Sequence, residues 1–392
     1  MTFEQLISDF YGFENSLSEE EKKYIAKTRA FLNAEVRPIV NEYWERAEFP
    51  HQLVRPIAEH GLFRVTHPDT SPFPASETFR GWLALEMARV DASIGTFIGV
   101  HSGLAMTSLS VGASEEQLAE WMPRCASGEI IGAFALTEPL SGSDTAQGLR
   151  TTATREGDSW VLNGAKRWIG NATFSDFTIV YAKDTADDKA KGFIVPTNTP
   201  GYSATKIEQK QSLRIVQNAD ITLENVRVPE SLRLQNINSF RDIAKILRIT
   251  RAGVAWSSIG NSIQAWEASL QYAKDREQFG RKIGGHQLIQ DLLVKGLGNI
   301  TASIAMVTRV AEMSMEGTQR DEHAALAKAF CTARMRETVA YARESMGGNG
   351  IVLDYGAARP FADAEAMYSY EGTREMNTLI VGRAITGFAA FV

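Results

Sequence analysis

Five short segments hold the residues whose types and spacing could do chemistry. Tyr370-Glu371-Gly372-Thr373 sets a carboxylate on a glycine-containing turn at the mouth of an apolar-periodic stretch, Met376 to Phe391. A hydroxyl follows two residues on. The arrangement gives one acid a fixed position and a helix N-terminus to work beside, although a turn glutamate ahead of a helix is usually just a favourable charge. The segment from Leu136 through Thr137, Glu138, Ser141 and Ser143 to Asp144 is rich in hydroxyls and backbone donors. It could present them to a polar ring edge or a phosphate, or form a tight loop whose Ser and Asp cap one another. In Asn163 to Asn171, Trp168 sits on a β-run beside glycine and could stack on a planar cofactor or belong to the core. Arg276-Glu277-Gln278-Phe279-Gly280, continuing to His286-Gln287, offers an arginine fork suited to pyrophosphate, with a solvated charged loop as the alternative. Met346-Gly347-Gly348-Asn349-Gly350 allows backbone to approach a ligand closely, or is a helix C-cap and turn. It is not a Rossmann fingerprint, because no strand precedes it.

Other chemistries find little support. The 6 histidines show no H-E-x-x-H or paired ligand spacing, so no metal site is expected. No G-x-S-x-G elbow occurs. Cys125 and Cys331 stand far apart without C-x-x-C spacing, which favours a reducing compartment over a disulfide framework. The net charge of −6 argues against a general nucleic-acid binder but leaves room for a local basic pocket. Met1-Thr-Phe-Glu-Gln lacks the basic and apolar regions of a signal peptide. No run approaches the ~20 apolar residues of a membrane span, and Ala-Phe-Val is no peroxisomal address. The expectation is a cytoplasmic protein with neither nucleic acid nor membrane as partner.

The elements that must position these segments fall into three regions. A chain of 392 residues exceeds one compact core, and 44% hydrophobic with 22% charged residues is ordinary globular composition. Residues 1–129 read as helical: Ser18 and Glu21 make a capping box, and Trp82 to Met106 reads as buried helix. Residues 130–236 carry short β-branched and aromatic runs (Ile130-Ile131, Thr151–Thr154, Trp160–Leu162, Phe177–Tyr181, Phe193–Val195 and Ala219–Val228) between turn clusters. Residues 237–392 return to helix, with long periodic stretches at Ile243–Lys274, His286–Met315, Glu322–Gly347 and Ala358–Tyr368. Four helices of about 20 or more residues suit an antiparallel bundle. The fold class is mainly α with an inserted β domain.

In this order the segments resemble the acyl-CoA dehydrogenase family over essentially the whole length. The motifs are T-E-P-x-x-G-S-D, N-G-x-K-x-W-I, N-x-R-V-P at Asn225–Pro229, R-x-Q-F-G, G-G-N-G and Y-E-G-T. One is cheap; six collinear ones are specific. Arg89-Val90-Asp91, Ala255-Trp256 and Gly382-Arg383 with Thr386-Gly387 resemble the glutaryl-CoA dehydrogenase branch and the plant short-chain acyl-CoA oxidases.

The resemblance implies an N-terminal helical domain, a central β-barrel-like domain and a C-terminal four-helix bundle. It implies FAD, an acyl-CoA substrate and α,β-dehydrogenation, with electrons passing to an electron-transfer flavoprotein or to O2. By similarity Glu371 is the α-proton base. Thr137 and Ser143 hold the isoalloxazine and Trp168 packs on it. Arg276, Gln278 and Phe279 reach the FAD of a neighbouring subunit in a homotetramer. Gln287, Gly347, Gly348 and Thr373 complete the dinucleotide site, while Ser143, Arg251 and Gly372 belong with the substrate.

Departures from the family pattern limit the reading. Gly170 stands where Thr is usual, and the plant oxidases share W-I-G, which makes electron disposal to O2 more plausible. Gly95 stands where glutaryl-CoA dehydrogenases carry an arginine for the distal carboxylate, so a dicarboxylyl substrate is disfavoured. Glu344 replaces a common Gln before the double glycine. Thr250 occupies the position from which other members supply the base, and cannot serve. The readings are a dehydrogenase on a short or medium acyl chain, an oxidase releasing H2O2, a flavin monooxygenase and a non-enzymatic scaffold.

Overall fold

The computed structural model describes residues 6–390. Met1–Gln5 and the end of the last apolar stretch at Phe391 lie outside the described residues. The first helix, α1 (Glu19–Phe31), opens on the expected reciprocal box: Ser18 accepts from the Glu21 amide and Glu21 accepts from the Ser18 amide. α2 (Glu77–Val90) is buried almost all round.

The stretch read as one helix from Trp82 to Met106 is broken at Asp91. That residue is extended, and its carboxylate caps the next helix by accepting from the Ile94 amide. The new helix, α3 (Ala92–Gly112), is 21 residues long with a mean hydropathy of 1.3 and is π-helical over Gly99–Met106. It corrects the expectation that no run is apolar enough to cross a membrane. Of its most apolar stretch 56% is buried inside the protein, where Ile94, Phe97, Ile98, Ala105, Met106 and Leu109 serve the core. α4 (Glu115–Ala126) follows, again behind a capping box, Ser114 with Gln117.

The middle third is one curled sheet of β1 (Gly132–Ala135), β2 (Thr152–Glu156), β3 (Ser159–Ile169), β4 (Phe177–Asp184), β5 (Ala190–Pro196), β6 (Tyr202–Lys206) and β7 (Ala219–Pro229). The order is β1-β4-β2-β3-β7-β6, with β5 on the other edge of β4. β1 and β2 share a single edge of β4, pairing with Phe177–Val180 and then Lys183–Asp184. The first strand begins two residues after Ile130. β6 was not expected: Tyr-Ser-Ala-Thr-Lys is short, polar and half-exposed at the sheet edge. The pairing of β3 with β7 slips between Lys166 and Ile169, and this bulge carries Trp168 with φ of 65°.

The last third contains α5 (Phe240–Asp275), α6 (Gln287–Met315), α7 (Asp321–Ser345), α8 (Ala358–Ser369) and α9 (Arg374–Thr386). Three helices exceed twenty residues, not four; α8 and α9, of 12 and 13 residues, both pack on α7 instead. α9 starts at Arg374 and stops at Thr386, because Gly387 turns left-handed with φ of 78°. One core runs from the first third into the last, joining Trp82 and Leu85 to Trp256, Ile259 and Ile304. α2 and α5 approach so closely that a Cβ on Gly81 would lie 2.2 Å from the Trp256 ring. One on Gly260 would lie 2.1 Å from the Leu85 carbonyl. The seam needs both glycines.

Candidate active site

The turn between α8 and α9 is held in an unusual conformation. Glu371 and Gly372 are consecutive left-handed residues, with φ of 55° and 83°. A non-glycine residue persists there only when its surroundings over-determine it. They do. Lys328, on α7 and fully buried, donates from Nζ to the Tyr368 carbonyl at 3.0 Å and the Gly372 carbonyl at 2.6 Å. Asn377 donates from Nδ2 to the Gly372 and Thr373 carbonyls at 2.9 and 3.0 Å. Thr373 caps α9 by accepting from the Met376 amide at 3.2 Å.

The carboxylate itself is part-buried and accepts a hydrogen bond from the Thr250 hydroxyl on α5. It is not the loose surface charge that such a turn usually carries. Loss of hydration raises its pKa; the Thr250 hydrogen bond and the charges of Arg251 and Lys328 pull it back without cancelling the rise. Burial likewise drives Lys328 down to about 8, although Glu371 and Glu375 hold it up. Arg251 is lowered by burial and raised by Glu371, and its Nε finds no partner among the described residues. One donor beside the carboxylate is thus left for something the chain does not supply. Burial pushes the Tyr370 hydroxyl, which faces Thr96 of α3, up to about 12.

On the sheet, the two candidate segments are joined. The Arg167 amide donates to the Thr137 carbonyl at 2.9 Å. The buried Lys166 ammonium donates to the Glu138 carboxylate at 2.8 Å, which also accepts from the Arg150 and Thr151 amides at 2.7 and 2.9 Å. These bonds fix the loop that carries Thr137 and Ser143. Ser141 donates to Asp144 at 2.6 Å, so the capping alternative holds for that pair, while Ser143 stays exposed. Trp168 is 51% exposed, with the Arg167 guanidinium 5.1 Å over its ring. The core alternative fails for it, because the bulge turns the indole out of the sheet. A Cβ on Gly170 would lie 3.1 Å from Val100 Cγ2, so Val100 of α3 already fills that side.

A third group surrounds a cavity of about 1050 Å³ lined by Arg276, Gln278, Phe279, Gln287, Gly347 and Gly348, among others. A two-stranded ribbon, β8 (Glu277–Gln278) with β9 (Arg281–Lys282), lifts Phe279 to its tip, 94% exposed. A Cβ on Gly347 or Gly348 would meet nothing within 4 Å, so the backbone there is open to a ligand. An arginine fork, amides, open backbone and an exposed ring suit a dinucleotide. Neither Glu371, Arg251, Gly372, Thr373 nor Trp168 lines this cavity, and Glu344 is exposed outside it.

Sequence reasoning missed Lys328, Asn377 and the partnership of Thr250. For Lys328 a signal existed: it shares a helical face with Ala324, Cys331 and Met335, all buried, where a lysine is out of place.

Family models for the acyl-CoA dehydrogenase N-terminal, middle and C-terminal domains match residues 18–129, 133–226 and 240–386. An acyl-CoA dehydrogenase of Bacillus subtilis is 32% identical over 95% of this chain and 99% of its own length. The caffeyl-CoA reductase-Etf complex subunit CarC of Acetobacterium woodii is 30% identical over 93% of this chain and 97% of its own. A solved glutaryl-CoA dehydrogenase from Mycobacterium smegmatis, in complex with FADH2, superposes with a TM-score of 0.94 at 31% identity, covering 98% of each chain.

Proposed function

Because this chain belongs to the acyl-CoA dehydrogenase family, oxidoreductases acting on a CH–CH bond, we propose that it dehydrogenates a short- or medium-chain acyl-CoA to the trans-2-enoyl-CoA. The observation that carries the reading is Glu371 itself, a carboxylate of raised pKa on a left-handed turn, held by the Thr250 hydroxyl between two cations. The α-proton of a thioester is weakly acidic, so its removal needs a positioned base and charge stabilisation near the carbonyl. Glu371 takes that proton at its carboxylate. Arg251, with an unpartnered Nε, sets positive charge beside it. A desolvated carboxylate is a stronger base than one in water, and the hydrogen bond from Thr250 limits the proportion that is protonated.

The residues present fit FAD. Thr137, Ser143 and Trp168 would hold the flavin ring; Arg276, Gln278, Phe279, Gln287, Gly347 and Gly348 would take the dinucleotide end, in a cavity whose backbone a Cβ does not obstruct. When bound, FAD accepts the β-hydrogen with its electron pair. The dinucleotide cavity lies apart from Glu371, which supports a site completed by a neighbouring subunit of a homotetramer. Leu288, Val294, Ile385 and Phe388, each more than 60% exposed, are apolar surface such an assembly would cover.

An electron-transfer flavoprotein is the proposed acceptor, in line with the Etf-complex relative. Gly170 alone suggested O2, but Val100 fills the side that the missing side chain leaves. Gly95 supplies no cation for a distal carboxylate, so butyryl-CoA should be preferred to glutaryl-CoA. A cytoplasmic location is proposed with the rest. An anaerobic panel of acyl-CoA thioesters, followed at the flavin absorbance and repeated in air, tests the assignment. Bleaching by saturated short chains without stoichiometric peroxide is expected. No bleaching by any thioester would overturn it.

A further inference from the structure

We propose that Lys328 is the positioning residue for the base. It fixes the left-handed turn on which Glu371 stands and sets positive charge near the carboxylate. The proposal rests on Glu371 being the base.

Lys328 is 0% exposed, and a buried ammonium is costly unless its protons are taken. Two are taken by carbonyls that bracket the base: Tyr368, three residues before Glu371, and Gly372, one after. The ammonium thereby spans the turn. With φ of 55° at Glu371 and 83° at Gly372, the peptide between them would relax without such a hold. Asn377 of α9 gives the Gly372 carbonyl a second, neutral donor at 2.9 Å. The turn is therefore held twice, once by a cation and once by an amide. No hydrogen bond joins Lys328 to Glu371, so its influence on the carboxylate is through charge and backbone geometry.

The charged groups facing Glu371 are Arg251 from α5 and Lys328 from α7. Glu375 of α9 faces Lys328, while Asp321 and Arg248 face Arg251. Removing Lys328 leaves Arg251 as the single remaining cation on the carboxylate. Removing Asn377 leaves both. The two clamps can thus be separated.

The test is the pH dependence of anaerobic flavin reduction by butyryl-CoA in the FAD-loaded protein, with acyl-CoA dissociation constants measured alongside. Lys328→Met should raise the midpoint by about one pH unit and slow the reaction roughly tenfold below it, with the dissociation constant within about twofold. Asn377→Leu should slow reduction at every pH without moving the midpoint. An unmoved midpoint in Lys328→Met overturns the charge effect, and a wild-type rate overturns the positioning. Should Lys328→Met not fold, Lys328→Arg decides. Retained charge must leave the midpoint in place while altered geometry slows the step, and a moved midpoint or a wild-type rate sinks the proposal. Glu371→Gln separates the two levels. If it still bleaches the flavin, the base assignment fails; if it does not and Lys328→Met behaves as wild type, the role of Lys328 alone fails.

Discussion

The Thr250 hydroxyl on α5 donates to the Glu371 carboxylate, joining two residues 121 positions apart. By its resemblance to the family, Thr250 stands where other members supply the base. In this chain one place on α5 thus holds the donor and the turn after α8 holds the acceptor. The exchange has a measurable consequence. A hydrogen bond to a charged group contributes about 1.5–3 kcal/mol, and about 1.4 kcal/mol is one pKa unit. Thr250→Val, nearly isosteric, should therefore raise the pH midpoint of flavin reduction by roughly one unit, with little change in acyl-CoA affinity. A midpoint equal to wild type would show that the hydroxyl spends its proton on the Ile246 or Leu247 carbonyl, each 3.3 Å away.

Glu371→Gln separates chemistry from architecture. The variant should bind FAD and acyl-CoA yet lose substrate-dependent bleaching. Its stability follows from the sign of the shift. Burial raises the folded-state pKa of Glu371 above its unfolded value. The stabilising contribution is therefore complete below the unfolded pKa and is lost as pH rises through the folded one. Above the folded-state pKa the ionised carboxylate works against folding, so there Glu371→Gln should melt at or above the wild-type temperature. A clearly lower Tm would mean that the carboxylate, rather than Lys328 and Asn377, holds the turn.

What the sequence showed and what it hid divide along physical lines. Glu371, the Thr137–Ser143 loop and the arginine ribbon were legible because each combines special backbone with chemistry-bearing side chains in a short window. The Ser18 and Glu21 box was legible because capping is local. Lys328 was not, since its meaning depends on which face of α7 is buried and on two carbonyls 40 and 44 residues away. The break at Asp91 was missed because the apolar pattern runs through it. Its cause is tertiary: the Asp91 carboxylate caps α3 and pairs with Arg359 from α8. β6 escaped because a half-exposed edge strand has too few apolar residues to alternate.

Asp363 makes a second pH-dependent element, on the helix that leads into the turn. Burial, then repulsion from Asp91, raises its carboxyl to about 7, against hydrogen bonds from Trp44 Nε1 at 2.9 Å and the Leu213 amide at 2.6 Å. The shift is upward, so its stabilising contribution is present at low pH and lost as pH rises through about 7. Between the ordinary carboxyl range and about 7 each pH unit costs about 1.4 kcal/mol, and above about 7 the loss is complete. Asp363→Asn keeps Oδ1 as acceptor for both donors and removes the titration. Chemical denaturation at pH 5 and pH 8 should show wild type losing stability across that interval and the variant losing clearly less. Equal losses would place the titrating group elsewhere.

Gly170 and Val100 supply the last prediction, which concerns where the electrons go. A Cβ at position 170 would lie 3.1 Å from Val100 Cγ2, tighter than ordinary contact, with Val216 Cγ1 next at 3.8 Å. Gly170→Thr alone should therefore be destabilised, because Val100 stands in the π-helical part of α3 and must give way. Val100→Ala removes the opposing methyl groups, so the double variant should recover part of the loss. A coupling of about 0.5–3 kcal/mol in denaturation experiments is the expected size for residues in contact. The same pair tests oxygen access. If Val100 closes the space beside Gly170, wild type turning over butyryl-CoA in air releases little peroxide, and Val100→Ala releases more. Stoichiometric peroxide from wild type would assign the electrons to O2 and remove the electron-transfer flavoprotein as acceptor.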